Sequence, residues 1–277
     1  MTLIVVSVLI ALVVVILARS CNKPKENGPM PEYRTNGPIP TGLEIPAVAK
    51  GDQIINHSGH TLCFSPEHAQ ARWVAYPIRG SQLASAHYER TDQFMPDPQA
   101  QPRSADDKDY QGSGYDRGHL ASAEDMSWSR ESMEESFYYS NMSPQVPAFN
   151  RGVWRRLEEL VRYWSAAYDS VYVVTGPILT SELPTIGSDN VSVPRYYYKA
   201  VLEYNPKGAR AIGFLLPNEA SAATLKSFAV SVDSLEHLTG LDFFPALPDD
   251  VEEKLESTAD IRDWRWTRKR KKRVEEY

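Results

Sequence analysis

Cysteine is nearly absent from this chain. Only Cys21 and Cys63 occur among 277 residues, so no disulfide framework can carry the fold, which must rest on a packed core. A surplus of positive charge is missing too. Thirty Lys and Arg stand against 36 Asp and Glu, a formal net charge of -6. That excludes attraction of a polyanion by global charge, and any site for one must be a local field. His57, His60, His68, His87 and His237 show no metal-ligand spacing with a cysteine or with a second histidine on one helix face, which removes the common zinc patterns. No internal repeat divides the chain. What is present is enough apolar material, 42% hydrophobic with 10% aromatic, for one large domain or one domain with tails.

The N-terminus holds the one long apolar run, "LIVVSVLIALVVVILA" from Leu3 to Ala18. It is long for a signal-peptide core, slightly short for a comfortable membrane span, and has no polar face. A cleavable signal, an uncleaved anchor and a lipoprotein signal are the three readings. "LARSC" loosely resembles a bacterial lipobox with Cys21 as the lipidated residue, although Arg19 breaks the small-residue pattern. Arg19, Lys23 and Lys25 follow the run and no basic segment precedes it, which argues against simple export. The expectation is nevertheless export or membrane anchoring; bacterial surface, periplasm and mitochondrial membrane all stay open, with a bacterial cell envelope favoured.

Residues 1–21 are thus read as signal or anchor, and 22–56, rich in Pro and Gly, as an extended linker. The compact domain is expected over 57–248, followed by a charged tail, 249–277, that ends in the basic cluster "RWTRKRKKR". Solvated disorder, anionic lipid and nucleic acid are the alternatives for that cluster. Inside the domain, residues 72–78, 170–178, 195–204 and 209–217 are rich in β-branched and aromatic residues and read as strands. Residues 152–168 place Val153, Leu157, Leu160, Val161, Trp164 and Tyr168 near helical spacing, and a second helix is expected at 231–239. Without regular strand–helix alternation, this pattern predicts an α+β fold with a largely antiparallel sheet.

Two strings carry the chemistry. In "GYDRGHLASAEDM", residues 114–126, His119 follows Asp116, Arg117 and Gly118. A group titrating near neutral pH, beside a phosphate-matching cation and a glycine that permits close approach, suggests proton transfer at an anionic substrate. Asp116 reads as structural, tying the backbone by side-chain hydrogen bonds. In "SNMSPQVPAFNRGVWRRLEE", residues 140–159, Asn150 stands just before the amphipathic helix. It could be a helix cap or an oxygen ligand to a hard cation such as Mg²⁺, with Glu158 holding a metal-bound water. On an ideal helix Asn150 and Glu158 would lie roughly 12 Å apart along the axis, so Asn150 must sit off the helix end to share an ion with Glu158.

These strings together closely resemble the DNA/RNA non-specific endonuclease family, which includes endonuclease G-like enzymes. The Asp-Arg-Gly-His hallmark is matched by residues 116–119, and the second hallmark by Asn141, Pro144, Gln145, Asn150 and Trp154. The resemblance covers roughly 57–248. It implies the ββα-metal, or His-Me finger, fold. It implies a metal-dependent endonuclease that cleaves DNA and RNA with little sequence preference and leaves 5′-phosphate ends. It casts His119 as general base, Asn150 as ligand to Mg²⁺ (or Mn²⁺), and Glu158 as acting through water. Arg117 would contact phosphate or the charged transition state, a further upstream catalytic arginine is best matched by Arg90, and Asn141 would orient His119 or hold substrate. A homodimer is compatible with the family. Against this stand a non-catalytic nucleic-acid-binding protein on the same fold and a membrane-anchored interaction module.

Overall fold

The computed structural model describes residues 39–266 apart from 86, 206 and 207. The apolar run, Cys21 and most of the basic cluster lie outside the described residues. Eleven strands and six α-helices are described. The strands are β1 (Gln53–Asn56), β2 (Thr61–Ser65), β3 (Gln70–Arg79), β4 (Asp116–His119), β5 (Met142–Gln145), β6 (Ser170–Pro177), β7 (Thr185–Ile186), β8 (Val191–Ser192), β9 (Tyr196–Asn205), β10 (Gly208–Pro217) and β11 (Ala229–Val230). The helices are α1 (Gly80–Leu83), α2 (Asp107–Tyr110), α3 (Arg130–Glu135), α4 (Arg155–Tyr168), α5 (Val232–Thr239) and α6 (Asp249–Glu256).

Seven strands form one sheet in the order β1-β2-β3-β6-β9-β10-β11, antiparallel at every pairing. Its central strands alternate between two buried faces, so they read as near-continuous apolar runs. On one face Val74, Tyr76, Val173, Tyr197, Val201 and Phe214 pack against Leu157, Val161 and Trp164 of α4. On the other, Trp73, Ala75, Tyr198, Ala200 and Leu202 meet Leu235, Phe243, Val251 and Leu255 from α5, α6 and the segment between them. The α+β reading with a central antiparallel sheet therefore holds, and all four expected strands are present within a residue or two.

The edges differ from expectation for a physical reason. β1 pairs with β2, although it lies in the stretch read as linker. Four residues carry too short an alternation to register as a strand until a partner supplies hydrogen bonds. Likewise α6 lies in the stretch read as tail, where its acidic surface masks the buried Val251 and Leu255. Trp264 packs against Trp164 with ring centres 4.2 Å apart and tilted by 42°, so the chain stays docked on α4 beyond residue 260. No helix among the described residues is long and apolar enough to cross a membrane.

Candidate active site

The site is built on a second, two-stranded ladder, β4–β5, followed by α4. Asp116 pairs with Gln145, Gly118 with Ser143 and His119 with Met142. β5 is pinned to the large sheet, because Ser143 Oγ donates to Gln70 Oε1 at 2.5 Å and the Tyr197 hydroxyl donates to the Pro144 carbonyl at 2.9 Å. Gly118 is needed for space rather than for a turn. A Cβ there would fall inside contact distance of the fully buried Gln145 side chain.

The chain then enters α4 through a wide turn, Phe149–Trp154, broken at Gly152, whose φ -110° and ψ -106° are not helical. Asn150 therefore lies off the helix end, and the axial separation of an unbroken helix does not apply between it and Glu158. Both ends of β4 hold this turn. Asn150 Nδ2 donates to Asp116 Oδ2 at 2.9 Å, and Trp154 Nε1 donates to the His119 carbonyl at 3.3 Å. Asp116 also receives Arg151 in a two-point pair, at 2.8 and 2.6 Å. Its structural reading is thus supported by named bonds. A carboxylate only accepts, so the amide nitrogen of Asn150 must face Asp116, and the carbonyl oxygen is turned away. Asn150 is half-exposed, and its amide oxygen is a donor of the kind a hard cation takes.

His119 is 9% exposed, and its Nε2 is buried without a hydrogen-bond partner. The ring meets Phe137 edge-on at 4.9 Å and Phe94 at 5.9 Å. Burial first, and then the Arg90 cation, push its pKa down to about 3, so the imidazole is neutral at physiological pH. Arg90 reaches this point over Phe137, with its guanidinium carbon 5.0 Å from the ring centre. Arg117 approaches from the other aromatic, 5.2 Å from the centre of Phe94. Its Nε donates to the Tyr139 hydroxyl at 2.8 Å, and a second nitrogen donates to Asp107 Oδ1 at 2.7 Å. The two arginines and His119 thus share one pair of aromatic rings.

Asn141 and Glu158 occupy different surroundings. Asn141 is fully buried, with its amide spent on backbone. Oδ1 accepts from Ala121 N at 2.9 Å, and Nδ2 donates to the carbonyls of Ala121 at 2.9 Å and Ser136 at 2.8 Å. Of its two expected roles, orienting His119 or holding substrate, these contacts suit the first, acting through the segment that follows His119. Glu158 sits among Lys199, Asp125, Arg162 and Glu124. Burial pushes its carboxyl up, and Lys199 opposes the rise. Burial pushes the Lys199 ammonium down, and Glu158 opposes that fall. Lys199 Nζ lies 4.8 Å from the centre of Trp154, the ring that holds the His119 carbonyl. A charged cluster thus underlies the site.

With this geometry in view, comparison with known proteins is decisive. The family model described as DNA/RNA non-specific endonuclease matches residues 43–250. The chain belongs to the DNA/RNA non-specific endonuclease family. It is 33% identical over 207 residues to human mitochondrial endonuclease G, covering 70% of each chain. It is 35% identical over 246 residues to mitochondrial nuclease EXOG of Xenopus laevis, covering 82% of this chain and 64% of the relative. The mitochondrial nuclease of Saccharomyces cerevisiae is 32% identical over 216 residues, with 70% and 66% covered. Among solved structures, the EndoG/EndoGI complex, titled for the mechanism of EndoG inhibition, superposes with a TM-score of 0.67 at 30% identity. That match covers 74% of this chain and 90% of that one.

As a member of this endonuclease family the chain is a nuclease, and nucleic acid is its substrate class. The same relatives overturn the expected location. A bacterial cell envelope with lipidation at Cys21 is not supported, because the relatives just named from human, frog and yeast are mitochondrial nucleases. The lipobox reading rested on five residues already broken by Arg19, a string short enough to arise in any apolar leader, whereas the similarity extends over more than 200 residues.

Sequence reasoning missed Lys199, Asp125, Arg162, Phe94 and Phe137. Lys199 carried a signal, being the sole charge in the apolar run "YYYKAVL" of a strand buried on both faces. Asp125 and Arg162 carried none, since their pairing joins a loop to α4 across 37 positions of sequence. His57 and His60 are buried beside the site. His57 Nε2 donates to Asp97 Oδ2 at 2.9 Å, and the two imidazole rings lie 4.9 Å apart.

Proposed function

We propose that the protein is a divalent-metal-dependent endonuclease that hydrolyses phosphodiester bonds of DNA and RNA with little sequence preference. One observation carries the reading. The four-residue strand β4 holds His119 at one end, and at the other holds Asn150 through Asp116, so imidazole and carboxamide share one rigid scaffold.

His119 takes a proton from the water that attacks phosphorus. The ring is neutral at working pH, and its packing against Phe137 and Phe94 fixes its orientation. Arg117 and Arg90 stabilise the charge that develops on the phosphate oxygens; both are held in place before substrate arrives, so little reorganisation is needed. The P–O bond to the 3′ oxygen breaks, leaving a 5′-phosphate. Asn150 would hold Mg²⁺ or Mn²⁺ directly and Glu158 through water. When bound, the ion supplies charge neutralisation at the phosphate and acidic waters for the leaving oxygen. Asn141 is a positioning residue. These groups meet phosphate and sugar rather than base edges, which accounts for low sequence preference.

The experiment is degradation of plasmid DNA and of RNA by the full chain, with and without EDTA, for wild type, His119→Ala and Asn150→Ala. Chelator should stop cleavage, and His119→Ala should lower the rate by about 10²–10⁴ with folding intact. Near-normal cleavage by His119→Ala would reject the base, and an unchanged Mg²⁺ titration in Asn150→Ala would reject the ligand. A chain that bound both nucleic acids but cut neither would support the non-catalytic alternative.

A further inference from the structure

On the sheet face opposite α4, helices α5 and α6 bring together a second set of oxygen ligands. Asp233 and Glu236 are three residues apart in α5 and share one side of it. Glu256 is the last residue of α6. One carboxylate oxygen from each of the three lies within 4.8 Å of the others.

This is more than an acidic surface. Glu256 is only 4% exposed, and its Oε1 is buried without a hydrogen-bond partner. The same holds for Oε1 of Glu252, one turn earlier. After burial itself, the groups acting most on Glu256 are Glu236, Glu252, Asp233 and Asp242, all of them carboxylates. Burial and these neighbours push the Glu256 carboxyl up to about 9 and that of Glu252 to about 7. Glu236 is held in place from the backbone, its Oε1 accepting from Phe243 N at 2.7 Å. Glu256 also stands at a helix C-terminus, where the backbone carbonyls disfavour a second negative charge. A buried carboxylate in this setting needs a proton or a cation.

We propose that Asp233, Glu236 and Glu256 form a second divalent-cation site, of the calcium class, that ties α5 to α6 and is separate from the nuclease site. The donors are all oxygen, which selects hard cations over zinc or copper. Three carboxylates on two helices, with Asp233 open to solvent for water ligands, suit the high and flexible coordination of Ca²⁺ better than the rigid octahedron of Mg²⁺. The site would fasten the segment that supplies Phe243, Val251 and Leu255 to the sheet, and so act on stability rather than on the chemistry.

The test counts bound Ca²⁺ on the metal-stripped full chain by equilibrium dialysis and follows thermal unfolding with and without CaCl₂. Wild type should bind one equivalent more than Glu256→Gln or Asp233→Asn, and Ca²⁺ should raise its Tm while leaving both variants unmoved. Asn150→Ala should keep that equivalent, which separates this site from the nuclease site and makes the outcome independent of the proposed mechanism. Equal stoichiometry in wild type and variants would overturn the proposal. So would a wild-type Tm that ignores Ca²⁺ but rises as pH is lowered from 8 to 6, the behaviour of a proton-shared cluster. If Glu256→Gln does not fold, Asp233→Asn, at an exposed position, decides the matter.

Discussion

Replacing Asn141 by alanine separates the two roles its sequence position allows. The amide makes three hydrogen bonds to backbone in a fully buried setting: from Ala121 N, and to the carbonyls of Ala121 and Ser136. Alanine leaves all three backbone groups without their partner. Each buried group stripped in this way costs about 1–3 kcal/mol, so even the lower end sums to about 3 kcal/mol. That is a large share of the roughly 5–15 kcal/mol that holds a typical domain together. The loss falls beside β4, since Leu120 N donates to the Asn141 backbone carbonyl at 3.0 Å and Ala121 is two residues from His119. Urea unfolding should show a midpoint well below wild type with an unchanged slope. Cleavage at low denaturant should fall through kcat, with KM nearly unchanged, because the amide is aimed at backbone. A variant of wild-type stability whose KM rises steeply would refute this reasoning and make Asn141 a substrate contact.

Three further outcomes follow from the same geometry. His60 is buried and pushed down to about 3, so below pH 6.5 the unfolded chain gains a proton at this residue that the folded chain does not. Lowering pH from 7 to 5 should therefore cost wild type about 2 kcal/mol more than His60→Phe; parallel stability curves for the two proteins would contradict it. Removing the Arg90 cation should raise the His119 pKa, so Arg90→Met should move the acidic limb of kcat/KM to higher pH, and a limb that stays put would break the link between them. Asp116→Ala should release the Asn150 amide and raise the Mg²⁺ concentration for half-maximal activity by about tenfold or more. It should leave stability little changed, because its Arg151 partner is exposed. An unaltered Mg²⁺ requirement would mean that Asp116 does not orient the ligand.

Part of this protein was legible in its residues, and the reason is local. The apolar runs at 72–78, 170–178, 195–204 and 209–217 are long enough to declare strands, and the spacing from Val153 to Tyr168 declares a helix, whatever packs against them. The residue types around His119 and Asn150 suggest proton transfer at an anionic substrate, and it is the resemblance of the two strings to the endonuclease family that points to a nuclease. Tertiary structure decided what depends on partners far away in sequence. β1 exists because β2 pairs with it, Gly118 is required because Gln145 lies across it, and Asn150 leaves the helix because the backbone breaks at Gly152. The charged cluster of Glu158, Lys199, Asp125 and Arg162 draws on one strand, one loop and one helix. Burial pushes the carboxyls of Glu158 and Asp125 up and the Lys199 ammonium down, while the surrounding carboxylates hold the Arg162 guanidinium above its ordinary value. That burial comes from the packing of those three elements, which no stretch of neighbouring residues encodes by itself.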